Sequence, residues 1–250
     1  MSGPRALDRG ALVRACARPV HAFDVCDSTN RIAAELAAAG APSGALVVAD
    51  AQTAGRGRLA RTWASPAGLN LYLSLVLRPS LAAARAPLIC LAAAAGISDT
   101  LGELAIKWPN DLLAPDGRKV GGILASVSLT GMRVDAAVVG VGLNVNQRSF
   151  PPALSGASSL ALIGGERDRV SLVVALADAI EARVFSLEAG ADGVLTACRE
   201  RSATLGRDVR VGDIAGRAAS IRDDGALVIA TADGEVPVLT GDVEMVSSMG

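Results

Sequence analysis

The amino-acid sequence predicts an α+β fold, a mixed sheet with packed helices followed by a small all-β tail. Three observations carry this expectation. As far as Arg201, strand-length apolar runs are interspersed with longer helix-like segments. From Ala203 onward the chain turns to short alternating runs split by Asp-Gly turns, which suits a small antiparallel barrel similar to an SH3-like fold. Hydrophobic residues make up 51% of the chain but aromatics only 2%, so the interior has to be built from Ala, Val, Leu and Ile. A chain of 250 residues is long enough for one sizeable core and one appended module, with expected boundaries 1–202 and 203–250.

The elements follow in order. Residues 1–18 read as an irregular or weakly helical lead-in. Asp27-Ser28-Thr29-Asn30 is a cluster of helix N-cap types, and residues 31–39 behind it form a helix closed by Gly40. Residues 45–49 are a short buried strand. The arginine-rich segment after Gln52 has no apolar period and reads as a loop. Residues 70–77 are a strand and 87–101 an apolar helix. Residues 104–108 form a strand that runs into a Pro109-Asn110-Asp111 turn. Pro115-Asp116-Gly117 marks a hairpin turn, and 119–129 with 134–141 is a strand pair. Residues 149–165, rich in Ser, Pro and Gly, read as a loop, followed by helices over 172–187 and 193–201. The tail contributes short runs at 209–211, 226–230, 235–239 and 243–246.

Composition narrows the function classes. A net charge of −1 gives no global pull toward nucleic acid or anionic membrane, so any anion site has to be local. The apolar uncharged stretch 62–77 contains Pro66, Gly68 and Asn70 and falls short of the roughly 20 apolar residues a bilayer needs. The N-terminus lacks the continuous apolar run of a signal peptide. Cys16, Cys26, Cys90 and Cys198 are scattered, with no CxxC, and read as reduced, mostly buried thiols of a cytoplasmic protein. His21 is the sole histidine, which leaves no material for His-based metal sites or Ser-His-Asp triads, and no direct metal motif is present.

Three polar segments stand out from this apolar background. Gly55-Arg56-Gly57-Arg58-Leu59-Ala60-Arg61-Thr62-Trp63 spaces arginines with glycine, which suits an anion because Gly admits close backbone approach and Arg grips oxygens in pairs. A solvated basic loop or a nucleic-acid contact is the competing reading, and Trp63 directly behind the basic run favours an apolar wall over a bound ligand. Lys107-Trp108-Pro109-Asn110-Asp111 sets an amide and a carboxylate at a strand tip, where either a ligand or an ordinary turn would use them. Trp108 taken alone is core. Lys119 precedes Gly121-Gly122, and paired glycines in a strand are a usual sign of a ligand close to the backbone. Gly140–Asn146 adds a glycine-relieved strand end with two amides. Ser28, Thr29 and Asn30 either cap a helix or present hydroxyl and amide groups to a neutral polar ligand such as a ureido group.

Taken in order, these segments resemble the biotin protein ligase family. The resemblance rests on DSTN (27–30), QTAGRGRLARTW (52–63), GLNLYLSL (68–75), KWPNDLL (107–113), GRKVGGIL (117–124) and GVGLNVN (140–146). It covers roughly residues 22–147 strongly and the tail weakly. It implies a mixed-sheet catalytic domain like that of the class II synthetase-like biotin/lipoate ligases, with a C-terminal SH3-like β-barrel. It implies a reaction in which biotin and ATP, with Mg2+ as part of the nucleotide substrate complex, give biotinyl-5′-AMP. The biotinyl group then passes to a lysine of a biotin carboxyl carrier domain of a biotin-dependent carboxylase.

By the same resemblance Ser28, Thr29, Asn30, Gln52, Arg56, Gly57, Arg58, Lys119, Gly121 and Gly122 would hold biotin. Arg56, Arg58, Arg61, Trp63, Asn110, Lys119 and Asn144 would meet ATP or the adenylate. Lys119, Arg58 and Asp111 would be catalytic, Lys119 bridging the carboxylate and α-phosphate, and Asp111 orienting the incoming amine or a magnesium ion. The short stretch ahead of Asp27 resembles the monofunctional members without a DNA-binding domain, so no DNA partner and no membrane are expected. The loop carries Leu59-Ala60 where related forms have more glycine and arginine, which bears on its closure. A lipoate or octanoate ligase or transferase and a non-catalytic RNA-binding module are the alternatives. The missing motif cysteine and histidine count against the first, and the net charge of −1 against the second.

Overall fold

A computed structural model describes residues 5–246, so the outermost ends of the two expected domains lie outside the described residues. In chain order the elements are α1 (Arg9–Ala15), β1 (Val20–Cys26), α2 (Thr29–Ala38), β2 (Leu46–Gln52), β3 (Leu71–Leu77), α3 (Leu88–Leu101), β4 (Ala105–Lys107), β5 (Asp111–Leu113), β6 (Lys119–Thr130) and β7 (Arg133–Leu143). They continue with α4 (Leu160–Ile163), α5 (Arg169–Ser186), α6 (Asp192–Glu200), β8 (Asp208–Val211), β9 (Ile214–Ile221), β10 (Leu227–Thr231), β11 (Gly234–Val238) and β12 (Glu244–Met245). The α+β expectation therefore holds. Strands β1, β5 and β9 and the short helix α4 were not among the sequence expectations.

The first seven strands form one mixed sheet in the order β1-β2-β3-β7-β6-β5-β4. Only the β1–β2 pair is parallel. The two faces of this sheet are covered differently. Leu46 and Val48 of β2, Leu71, Leu73, Leu75 and Leu77 of β3, and Val139 and Val141 of β7 point into the main core with α3 and α5. The alternate residues Val47, Val76 and Val138 meet Ala33, Ile32 and Leu36 on α2. With both faces covered, β3 is buried at every position and shows no polar alternation. Ser74 belongs to the α2 face of this strand and is fully buried.

Helix α2 is short and covers only part of its face. Beyond it the sheet surface is short of side chains of its own, because Gly122 of β6 sits directly across from Gly142 of β7, and Leu124 across from Gly140. This glycine floor is where the fold leaves room for other side chains and a ligand to approach the sheet.

A buried ion pair ties the lead-in to the core. Arg169 Nη1, at the start of α5, bonds Asp50 Oδ1 on β2 at 2.7 Å and the Asn70 carbonyl at 3.0 Å, while Asp50 also accepts from the Leu7 and Gly68 amides.

The tail gives a five-stranded antiparallel sheet in the order β11-β10-β9-β8-β12, open along its two outer strands. It docks on α3 and β4: Trp108 Nε1 donates to the Gly225 carbonyl at 3.0 Å and the Trp108 amide to Thr204 Oγ1 at 2.9 Å. Trp108 is 2% exposed, as its core reading requires. Val209, Leu227 and Ile229 of the tail join the same continuous core as the main sheet.

Candidate active site

The N-cap expectation at residues 27–30 is corrected by the side chains. Ser28 occupies the N-cap position of α2 but makes no capping bond with its side chain. Its Oγ is buried without a hydrogen-bond partner. Thr29 donates its amide (2.9 Å) and its hydroxyl (3.2 Å) to Gln52 Oε1, whose Nε2 reaches Ser65 Oγ at 3.0 Å. Ser74 Oγ lies 2.9 Å from Thr29 Oγ1 and 3.2 Å from Asn30 Oδ1, and Asn30 Nδ2 donates to the Leu124 carbonyl at 3.2 Å. The polar cluster is thus spent on a cup built across α2, β2, β3 and β6. Within it one hydroxyl is left over, and a buried polar group without a partner is costly unless something supplies one.

This cup forms a narrow cavity of about 50 Å3 lined by Ser28, Thr29, Asn30, Gln52, Ser74 and the glycine floor. A larger cavity of about 310 Å3 adjoins it, with Asn144, Gln147, Phe150, Leu154 and Asp242 among its walls. Gly57, Arg58, Trp63, Asn110 and Lys119 line both. Two cations therefore stand where the cavities meet.

Lys119 opens β6 and turns inward rather than guarding an edge. Its Nζ lies 2.7 Å from Asp111 Oδ1 and 5.5 Å from the centre of the Trp63 ring. Asp111 is brought there by β5, which pairs with the start of β6 through an irregular register between Leu112 and Leu113. The Trp63 indole lies against the glycine floor. A Cβ added at Gly142 would stand 2.5 Å from its Cε2 and Nε1, so only glycine admits the ring there. Gly140 plays the same part for Asn30, whose Oδ1 would be 2.5 Å from an added Cβ.

The arginine loop is ordered by its own charges. Arg58 Nη1 donates to Asn110 Oδ1 at 2.8 Å and Asn110 Nδ2 to the Ile123 carbonyl at 3.1 Å. Arg61 is ion-paired with Asp242 of the tail. Arg56 lines the smaller cavity and is exposed. Leu59 and Ala60 both adopt positive φ, 53° and 58°, a region costing about 1–2 kcal/mol for residues with a Cβ.

Most of the expected residues converge here. Gly121 does not: a Cβ there would meet Leu143 and Leu112 in the core, because consecutive strand residues face opposite sides of the sheet and Gly122 takes the ligand side. Asn144 lines the larger cavity, and its Nδ2 is committed to the Ser158 carbonyl at 3.0 Å. Gly140 and Gly142, singled out as a glycine-relieved strand end, prove to be part of the floor, while Ser74, Phe150, Leu154 and Asp242 are site residues that sequence reasoning missed.

No cysteine is an activated nucleophile. Cys198 is buried while Cys16, Cys26 and Cys90 are half-buried, so most are less enclosed than expected. Burial pushes the Cys26 thiol up to about 11 and those of Cys90 and Cys198 to about 12, and it raises Cys16 as well. Among the described residues no group of three or more His, Cys, Asp or Glu side chains could hold a metal ion.

The sequence comparisons agree with this geometry. Residues 22–144 match the biotin/lipoate A/B protein ligase family. The bifunctional ligase/repressor BirA of Bacillus subtilis is 36% identical over 236 residues, covering 89% of this chain and 72% of that protein. The chain belongs to the biotin/lipoate A/B protein ligase family. Within that family, the biotin–[acetyl-CoA-carboxylase] ligase of Mycobacterium tuberculosis is 35% identical over 233 residues, covering 86% of this chain and 85% of the relative. The biotin protein ligase from Aquifex aeolicus in complex with biotin and ATP superposes with a TM-score of 0.74 at 27% identity, over 92% of this chain and 99% of that one.

Proposed function

We propose that this chain is an ATP-dependent biotin protein ligase. It forms biotinyl-5′-AMP and pyrophosphate from biotin and ATP, then transfers the biotinyl group to a lysine of a biotin carboxyl carrier domain. The observation that carries this reading is the meeting of a small polar cup and a larger, partly apolar cavity at Lys119 and Arg58. A reaction that joins two anions needs that arrangement.

In this reading Ser28, Thr29, Asn30 and Gln52 hold the ureido ring of biotin, with Ser28 Oγ as the group awaiting a partner. The base and ribose of ATP take the larger cavity against Phe150 and Leu154. A biotin carboxylate oxygen bonds to the α-phosphorus as the bond to the β-phosphate bridging oxygen breaks, and pyrophosphate leaves with its magnesium. Lys119 and Arg58 neutralise both reactants and stabilise the charge on the phosphoryl oxygens, which supplies most of the acceleration in such transfers. Trp63 over the glycine floor excludes water from an adenylate that hydrolyses readily. The carrier amine then bonds to the acyl carbon as the bond from that carbon to the phosphate oxygen breaks. AMP leaves on that oxygen, the amine's surplus proton passes to solvent, and Asp111 is the nearby carboxylate that orients the amine. Magnesium enters as part of the nucleotide substrate complex.

The same reading takes residues 1–202 as the catalytic domain and 203–250 as a small module of SH3-like barrel type. It places the protein in the cytoplasm, with no DNA or membrane partner. The net charge of −1 and the lack, among the described residues, of any helix long and apolar enough to cross a membrane support this.

Biotin-dependent exchange of pyrophosphate into ATP, with lipoate and octanoate run beside it, tests the proposal. Exchange with biotin alone is the expected result. Exchange only with the other acids would move the chain to the lipoyl branch of the family, and no exchange with any of them would leave a binding module.

A further inference from the structure

The tail module supplies part of the wall of the larger cavity, and that wall grips two arginines of the loop. Arg58 Nη2 donates to Thr240 Oγ1 at 3.0 Å, and Arg58 Nη1 reaches the Gly241 carbonyl at 3.3 Å as well as Asn110. Arg61 pairs with Asp242. Residues 240–242 lie between β11 and β12, far along the chain from the loop they hold.

The loop has few other anchors. Its backbone bonds from Gly57 to Arg61 and from Trp63 to Gly55 close the loop on itself. Among the described residues, the polar ties from residues 56–62 to the rest of the molecule run through the side chains of Arg58 and Arg61. Leu59 and Ala60, held at positive φ, resist this conformation. Something outside the loop has to offset that strain, and the 240–242 segment is positioned to do so.

We infer that Thr240 and Asp242 are positioning residues for adenylate formation: they order Arg58 and Arg61 at the larger cavity before the nucleotide arrives. This rests on the ligase reading for the identity of the nucleotide, but not for the ordering of the loop. A guanidinium has five N–H donors, so a bond to Thr240 or Asp242 leaves others for phosphate oxygens. Ordering the two side chains and their strained backbone in advance removes an entropic cost from nucleotide binding, which appears as tighter binding without a new contact.

The test compares wild type with Thr240→Val, Asp242→Asn, the double variant, and Thr240→Ser as the conservative rescue. Trypsin is a direct probe in the ligand-free protein, because it cuts after Arg56, Arg58 and Arg61 once the loop opens. Losing one surface ion pair and one solvent-exposed hydrogen bond from a guanidinium corresponds to at least about a five- to tenfold change. The double variant should therefore be cut within 56–61 about five- to tenfold faster, and its KM for ATP in the exchange reaction should rise by a similar factor. KM for biotin should rise less than KM for ATP, the thermal midpoint should stay at its wild-type value, and Thr240→Ser alone should keep both readouts near wild type.

An unchanged or lowered KM for ATP would overturn the inference, since Asp242 would then only compete with phosphate for Arg61. So would a parallel rise in KM for biotin with a fall in thermal midpoint, which marks general destabilisation. If the double variant does not fold, the single variants carry the same test. Should wild type show no biotin-dependent exchange, the ligase reading fails, while the trypsin comparison still decides whether the tail orders the loop.

Discussion

Replacing Lys119 with methionine keeps an unbranched side chain of nearly the same length and removes its charge and its N–H donors. In the present site Nζ is 2.7 Å from Asp111 Oδ1 and the side chain is 38% exposed. The variant loses a positive charge beside two reacting anions and leaves the Asp111 carboxylate facing them. Unit charges about 4 Å apart at an effective dielectric of about 20 interact by about 4 kcal/mol. Solvent access to a partly exposed side chain lowers this to about 3 kcal/mol, or about a hundredfold in kcat/KM for adenylate formation. Pyrophosphate exchange measures that step, with circular dichroism checking that the fold is kept. Adding Asp111→Asn to Lys119→Met should recover part of the loss, because the repelling carboxylate is gone. A loss below tenfold, or a double variant worse than Lys119→Met alone, would refute the charge-neutralising role.

Two further predictions concern stability. Arg169→Met should cost about 3–5 kcal/mol in urea unfolding, because it strands the buried Asp50 carboxylate with only amide partners; a cost below about 1 kcal/mol would contradict this. Asp168 caps α5, and its carboxyl is held below the ordinary 3.8 by hydrogen bonds from the Ser171 hydroxyl and amide. Its contribution is therefore present above the unfolded carboxylate range and lost as pH falls through the lowered value. Asp168→Ala should cost about 1 kcal/mol at neutral pH and flatten the acid end of the stability profile, and an unchanged acid slope would count against the cap.

The parts of the fold legible in the sequence were those with a strong pattern. Helices α3 and α5 and strands β3, β6 and β7 lie within a few residues of their expected positions. Strand β1 was missed because it carries only partly buried and exposed residues and pairs only with β2, so it shows neither an apolar run nor clean alternation. Strand β9, IAGRAASI, is built from small residues whose alternation is too shallow to register. At the site, the three arginines, Lys119 and the Asn110-Asp111 turn announced their chemistry by residue type. Ser74 was hidden inside the apolar run LYLSLVL, and its face could be assigned only once α2 was placed. Gly121 and Gly122 are indistinguishable as letters, and strand parity decides which faces a ligand. Phe150 and Leu154 sit in a stretch whose Pro and Ser content suggested nothing but a loop. Asp242 reaches the site only through tertiary docking of the tail.

The two tryptophans divide the molecule's intrinsic fluorescence into two channels. Trp108 is fixed in the core with its Nε1 bonded to Gly225, so its emission is a steady background that changes only on unfolding. Trp63 stands at the junction of the two cavities, 5.5 Å from a lysine ammonium and with its indole N–H unpartnered, so its emission follows the polarity and charge of the site. Ligand arrival can therefore be timed by stopped flow on the unlabelled protein, and a shift in emission maximum without loss of intensity from the core would be assigned to the loop alone.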